Sequence, residues 1–365
     1  MVLASPLPPP AIEQPASRQV SFGVVAGTAA SGTRRVVVSA RGRVLASRHL
    51  GRRRFLLHVD LPLGDVSVRV TTMAAGGRRS SRVVADVYGL PAAGAPRRSA
   101  EHEDAYLARE LRGLARAYPG TAAVYVQSLT SGGGASWNAK ARFPAASTLK
   151  LAIAAAVLAA HSGLPPPGSY VGSLLQSMLT YSDNASANAL EVWLGGSTSA
   201  GSHRVDAFMR SVGMSDSLMY GGYETGTYAR SIPSRVEEQP DFGVGKYTTA
   251  SDLATLFRSI WLAAGGLRSV HGMTPVDARY LLWLLAHVRD SAKLDGIVGE
   301  RREVAVLHKA GWVSSARHDA GLVFWRGGVF VASVMTWNAA GDGVSADVLA
   351  ARCAARSLDR FRRRR

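Results

Sequence analysis

The feature that most limits how this chain can fold is a change of hydrophobic period across a Pro/Ala/Gly/Arg break, Leu90 to Ser99 (LPAAGAPRRS). Before the break the apolar residues recur every second position. Phe55, Leu57, Val59 and Leu61 alternate with Arg54, Leu56, His58 and Asp60, with Leu56 breaking the pattern, and Val66, Val68 and Val70 alternate with Ser67 and Arg69. Alternation with one polar side predicts half-buried antiparallel strands. Turn signals at Arg41-Gly42, Gly51, Leu63-Gly64 and Gly76-Gly77 recur about every ten residues, the rhythm of a β-sandwich. Residues 1–18 read as a disordered N-terminus, 19–90 as an immunoglobulin-like module of six or seven strands, and 91–100 as a linker. Nothing in the module looks catalytic.

After the break the period lengthens. Tyr106, Leu107, Leu111, Leu114 and Ala115 form one stripe of a helix over 101–117, which Pro119-Gly120 ends. Strands follow around Ala122–Leu129 and Gly134–Trp137, then an apolar helix from near Ser147, several more helices, and strands at Ala305–Val313, Ala320–Trp325 and Val329–Trp337 before a C-terminal helix. Residues 101–363 thus read as one α+β domain, with helices on an antiparallel sheet drawn from both of its ends.

Charge is informative only once it is located. The chain carries a net +17, but residues 1–98 hold 15 Arg against 4 acids, and residues 352–365 hold 7 Arg against one Asp. The body between is neutral, which argues against a nucleic-acid groove there and suits attraction of the ends to an anionic cell-wall or membrane surface. The single cysteine, Cys353, excludes an internal disulfide and is no metal site. No stretch reaches the roughly 20 apolar residues of a membrane span. The opening MVLASPLPPPAIEQP lacks the basic and apolar regions of a signal peptide.

Three short motifs carry chemistry. Ser147-Thr148-Leu149-Lys150 opens an apolar helix, where free N–H groups favour negative charge and Lys150 lies over the same face as Ser147. Ser-x-x-Lys arises roughly once by chance in a chain this long. This chain, however, has 38 Arg and only five Lys: Lys140, Lys150, Lys246, Lys293 and Lys309. Arg cannot be deprotonated in a protein, so a lysine kept at 150 points to proton transfer, with burial lowering its pKa. Ser182-Asp183-Asn184 is the second motif, although a helix cap or turn would use the same residues. Lys309-Ala310-Gly311-Trp312, at the end of an apolar strand, is the third, and an ordinary strand end would read the same way.

Together and in order, these resemble the S-x-x-K, S-D-N and K-T-G set of class A β-lactamases and penicillin-binding proteins, with the resemblance running from about Glu101 to Arg363. It implies a helical subdomain beside an antiparallel sheet, no metal or organic cofactor, and acyl transfer through a serine ester. Ser147 would attack the amide carbonyl, Lys150 act as base or relay, and Ser182 pass the proton to the leaving nitrogen. Asn184 would hold the substrate's side-chain amide, and Lys309 would support Ser182 and bind the substrate carboxylate. The backbone N–H groups of Ser147 and Trp312 would hold the oxyanion.

Two departures qualify that expectation. Ala310 stands where the family has Thr, which removes a hydroxyl donor unless Ser314, Ser315 or Arg317 replaces it, a loss of roughly 1.5–3 kcal/mol. The deacylating Glu falls at Glu224, eleven residues after Gly213, with Thr227 and Tyr228 in place of the family's Leu and Asn; Glu237 and Glu238 are rivals on a loop about ten residues longer than usual. Three readings stay open: a β-lactamase, a D,D-peptidase-like enzyme acting on peptidoglycan stem peptides, or a non-hydrolysing penicillin-binding sensor. Retention of Lys150 and Lys309 weighs against the third, and the Glu224 loop decides between the first two. The substrate class places the protein outside the cell or at the wall, as a monomer.

Overall fold

Leu56, the residue that breaks the alternation, points outward and is 52% exposed, while Phe55, Leu57, Val59, Leu61, Val66, Val68 and Val70 are all buried. The period-two pattern therefore marks a real inner face. The structure, a computed structural model, describes residues 6–224, 230–233, 239, 243–270 and 272–363. The chain divides into two units, Met1–Ala95 and Pro96–Arg365.

The first unit is all-β among its described residues. Ala11–Gln14, Val24–Thr28 and Arg54–His58 form one sheet. Gln19–Ser21, Arg79–Gly89, Gly64–Ala74, Thr33–Ala40 and Arg43–His49 form the other, in that order. Val25, Phe55 and Leu57 from the first sheet share one apolar core with Val36, Val38, Val68, Val70 and Val87 from the second. Part of the segment expected to be disordered is ordered: Ala11–Gln14 pairs antiparallel with Val24–Thr28, and Ile12 packs on the core. The preceding prolines hid this strand, and an edge position tolerates such a neighbourhood because only one side needs donors.

The expected linker is also partly claimed by structure. Arg98 donates to the Leu267 carbonyl at 2.8 Å, and the Ser99 hydroxyl to the Leu129 carbonyl at 3.2 Å. Pro96–Ser99 therefore belongs to the second unit.

That unit is α+β. Its sheet runs Val304–Val313, Ala316–Trp325, Gly328–Trp337, Thr121–Ser128, Gly133–Trp137, His102–Glu103, antiparallel throughout except for the last, parallel pair. Strands from both ends of the unit meet where Thr121–Ser128 pairs with Gly328–Trp337. The helices Ala105–Arg116 and Val344–Arg363 share one apolar cluster with the sheet. A bidentate ion pair ties them together, as Arg360 donates to Asp104 at 2.8 and 3.1 Å. Asp104 also caps the first of these helices through Leu107 N–H.

The helix Lys150–Ala160 has no polar face, and Lys150 to Leu158 are all buried. An all-apolar helix must be surrounded by protein, so it carries its first residue, a lysine, into the interior. This is what positions the site.

Candidate active site

The turn that presents Ser147 is held from three sides. Phe143–Pro144 pairs with Tyr247–Thr248, and Ala145 N–H donates to the Lys246 carbonyl at 2.7 Å. The buried His318 ring bonds the Pro144 carbonyl through Nε2 at 2.7 Å and receives Thr336 N–H on Nδ1 at 3.3 Å. Burial pushes the His318 pKa down to about 4, which keeps the ring neutral and suits this donor–acceptor division. Ala146 then adopts φ +48°, a left-handed conformation that a Cβ-bearing residue rarely takes. A single 3₁₀ turn, Ala146–Leu149, sets the half-buried Ser147 just ahead of the Lys150 helix.

Lys150 Nζ donates to the Asn184 Oδ1 at 2.5 Å and to the Ser182 backbone carbonyl, and lies 4.7 Å from the centre of the Tyr223 ring. Burial and then the Lys309 charge pull its pKa down to about 7, against Asp183 and Glu224. A substantial fraction is therefore a free amine near neutrality, the state that can take a serine proton. Lys309, 2% exposed, donates to the Ser182 hydroxyl at 2.9 Å and to the Ala310 carbonyl at 2.6 Å. Burial lowers it to about 8, opposed by Asp319 and Asp290. Two lysines thus converge on Ser182, one on its carbonyl and one on its hydroxyl.

The Ser182-Asp183-Asn184 tripeptide caps a helix and builds the site at once. Asp183 accepts from Ser186 N–H at 2.6 Å as N-cap of Asn184–Gly195, and the bonds from Ser186 hold its carboxyl below the usual range. Capping is what aims its two neighbours at Lys150 and Lys309.

The third motif closes over the nucleophile. A Cβ built on Gly311 would stand 2.7 Å from the Ser147 nitrogen and 2.8 Å from the Thr148 nitrogen. Only glycine permits this approach of strand to turn. Ala310 is buried, and Trp312 next to it is 63% exposed. Behind the strand, His308 bonds Asp319 at 2.8 Å, Asp319 also accepts from Leu294 N–H at 3.0 Å, and Lys293 pairs with Asp290 at 2.6 Å. The stand-ins for the hydroxyl missing at Ala310 are limited. Arg317 is held bidentately by Asp347 at 3.0 and 2.8 Å, and Ser314 and Ser315 lie in the turn between strands.

Glu224 is exposed, with φ +60°. Its neighbour Tyr223 is the buried one, and sequence reasoning missed it. Thr227, Tyr228, Glu237 and Glu238 lie outside the described residues. Asn188 and Lys246 were also missed as site residues, although the scarcity of lysine marked Lys246. Lys246 donates to the Gly222 carbonyl at 2.8 Å and lies 4.9 Å from the Tyr223 ring centre.

Glu191, one helical face along from Asn184, is fully buried. It accepts from the Ser202 hydroxyl at 2.7 Å, and its Oε2 has no hydrogen-bond partner among the described residues. Burial raises its pKa to about 7, with the Ser202 bond and Lys246 opposing. A carboxyl raised on folding stabilises the fold fully below its unfolded pKa, and that contribution fades as pH rises through the folded value. Stability should therefore drop by roughly 2–4 kcal/mol between about pH 4.5 and 7 from this group. Glu191→Gln, which stays neutral, should flatten that slope in chemical denaturation; an unchanged slope would mean that Glu191 is ionised in the fold without penalty.

Comparison with known proteins adds the family. A family model described as "Beta-lactamase enzyme family" matches residues 106–163 and 162–361. Among solved structures, a mutant of PBP-A described as an acyl-enzyme complex with penicillin G superposes with TM-score 0.58 at 21% identity, covering 72% of this chain and 99% of that one. A variant of the last common ancestor of Gram-negative bacteria β-lactamase class A gives TM-score 0.57 at 21% identity, over 72% of this chain and 100% of its own. The β-lactamase from Streptosporangium roseum gives 0.54 at 20%, over 70% and 99%. No curated protein matches.

Proposed function

This chain belongs to the β-lactamase enzyme family, and from that premise we propose that it is a serine hydrolase in which Ser147 is acylated by β-lactam amides. The observation that carries the reading is the convergence of two buried lysines on Ser182, beside a serine turn closed by Gly311. Ser147 Oγ forms a bond to the lactam carbonyl carbon as its proton passes to the free amine of Lys150. The carbon–nitrogen bond then breaks, and Ser182, whose hydroxyl is held by Lys309, gives its proton to the departing nitrogen and takes up in its place the one that Lys150 received. The N–H groups of Ser147 and Trp312 take the oxyanion, a pair commonly worth about 3 kcal/mol or more. Asn184 orients the substrate amide, and Lys309 attracts its carboxylate with less help than usual, because Ala310 offers no hydroxyl.

A D,D-peptidase-like action on wall peptides is the second reading, favoured by the exposure of Glu224. Both readings place the protein outside the cell or at the wall. There the immunoglobulin-like module we assign to residues 11–90, with its arginines, would meet anionic surface.

The test is intact-mass measurement after mixing with benzylpenicillin. The wild type should gain the penicillin's mass on one site, and Ser147→Ala should gain none while unfolding at the same temperature. Labelling of the alanine variant would place the nucleophile elsewhere.

A further inference from the structure

We propose that Tyr223 sets the lifetime of the acyl-enzyme, its ring filling the volume beside Lys150 that a deacylating water would need. The inference rests on the reading of Ser147 as the acylated nucleophile.

The placement of Tyr223 is over-determined. Its backbone is clasped by one side chain: Asn188 Nδ2 donates to the Tyr223 carbonyl at 2.9 Å, and Tyr223 N–H donates to Asn188 Oδ1 at 2.6 Å. Asn188 lies one helical turn beyond Asn184, on the same face of the same helix. The ring centre lies 4.7 Å from Lys150 Nζ and 4.9 Å from Lys246 Nζ, contacts that favour an aromatic whenever either lysine is charged. Its hydroxyl donates to the carbonyl of Ala146, the residue just before the nucleophile, at 3.3 Å. Tyr223 is 9% exposed.

The consequence follows from what Lys150 then has around it. Among the described residues its Nζ faces Ser182 O, Asn184 Oδ1 and the aromatic ring. Release of the acyl group requires a water oxygen to bond the ester carbonyl carbon, the bond from that carbon to Ser147 Oγ to break, and a proton to move from the water through a base to Ser147 Oγ. A water held there needs about 30 Å³ and two to four polar partners. The ring supplies neither. Nor can Tyr223 serve as base, because burial, with the Glu191 charge adding, pushes its phenol well above the usual range. Glu224, next in the chain, is exposed. Acylation needs no added water, and the ring displaces none of Ser147, Lys150 and Ser182, so it spares the first half of the reaction and obstructs the second.

The experiment loads the full chain with benzylpenicillin, removes the excess, and follows adduct loss by intact mass. The wild-type adduct should persist for hours, and Tyr223→Phe, which keeps the ring, should match it. Tyr223→Ala should shorten the lifetime about tenfold or more, increasingly so as pH rises through about 7 and Lys150 becomes the base for the admitted water. Tyr223→Glu, which adds a carboxylate base, should shorten it by about 10²-fold or more. The glutamate variant also guards against an alanine variant that fails to fold. A wild-type adduct that forms and is lost within seconds overturns this inference alone. So do folded Ala and Glu variants with wild-type lifetimes. No adduct on the wild type or any variant overturns the functional reading and this inference with it.

Discussion

Lys150→Arg should lower the second-order rate constant of acylation by about 10²–10⁴-fold, nearly as far as Lys150→Ala, because proton acceptance is lost and only charge is kept. The wild-type lysine is set up for the exchange: buried at the start of an apolar helix, repelled by Lys309, and brought to about pH 7. Its protonated form dominates below that pH and its free amine above, so wild-type acylation should climb as pH rises through about 7 and then level. A guanidinium has no such transition in the accessible range. Lys150→Met, which fills similar volume without charge, should be equally slow while unfolding no earlier than the arginine variant, since a buried cation gains little from imperfect partners. Near-normal acylation by Lys150→Arg would show that position 150 supplies charge alone.

Gly311→Ala should cost acylation about 10²–10³-fold, the usual effect of losing one oxyanion donor. The added methyl meets two backbone nitrogens, Ser147 at 2.7 Å and Thr148 at 2.8 Å, neither of which can swing aside as a side chain would. Either the strand end or the serine turn must move. The turn is pinned at Pro144 by His318 and at Ala145 by Lys246, so the strand end carrying Trp312 N–H gives way. Thermal unfolding should change modestly, since the shift is confined to a strand end. An alanine variant that folds and acylates at the wild-type rate would remove Gly311–Trp312 from the reacting centre.

What the sequence made legible was what short-range physics decides. Phe55, Leu57, Val59 and Leu61 fall on one face because side chains alternate along any strand. Leu56 is outside for the same reason. The scarcity of lysine drew attention to Lys150 and Lys309 because this chain otherwise writes its positive charge as arginine.

Long-range placement was not legible. Nothing near Tyr223 marks it as the residue against Lys150. Asn188, 35 positions earlier, puts it there, and Lys246 packs against the same ring. Counting from Gly213 led to Glu224 instead, one residue too far for burial. The charges behind Lys309, from His308 and Asp319 to Asp290 and Lys293, read locally as an ordinary strand and loop. The strand Ala11–Gln14 was concealed by the prolines before it, which suppress helix and central strand alike but not an edge.

The central claim is that Ser147 becomes an ester, and tryptic mapping of the benzylpenicillin adduct tests it most directly. Cleavage after Arg142 and Lys150 releases Phe143–Lys150 (FPAASTLK), which carries just two hydroxyls, Ser147 and Thr148. Thr148 is buried and its hydroxyl donates to the Ala145 carbonyl at 2.6 Å. Fragmentation should therefore place the whole added mass on Ser147; mass on Thr148, or on any peptide other than this one, would contradict the account.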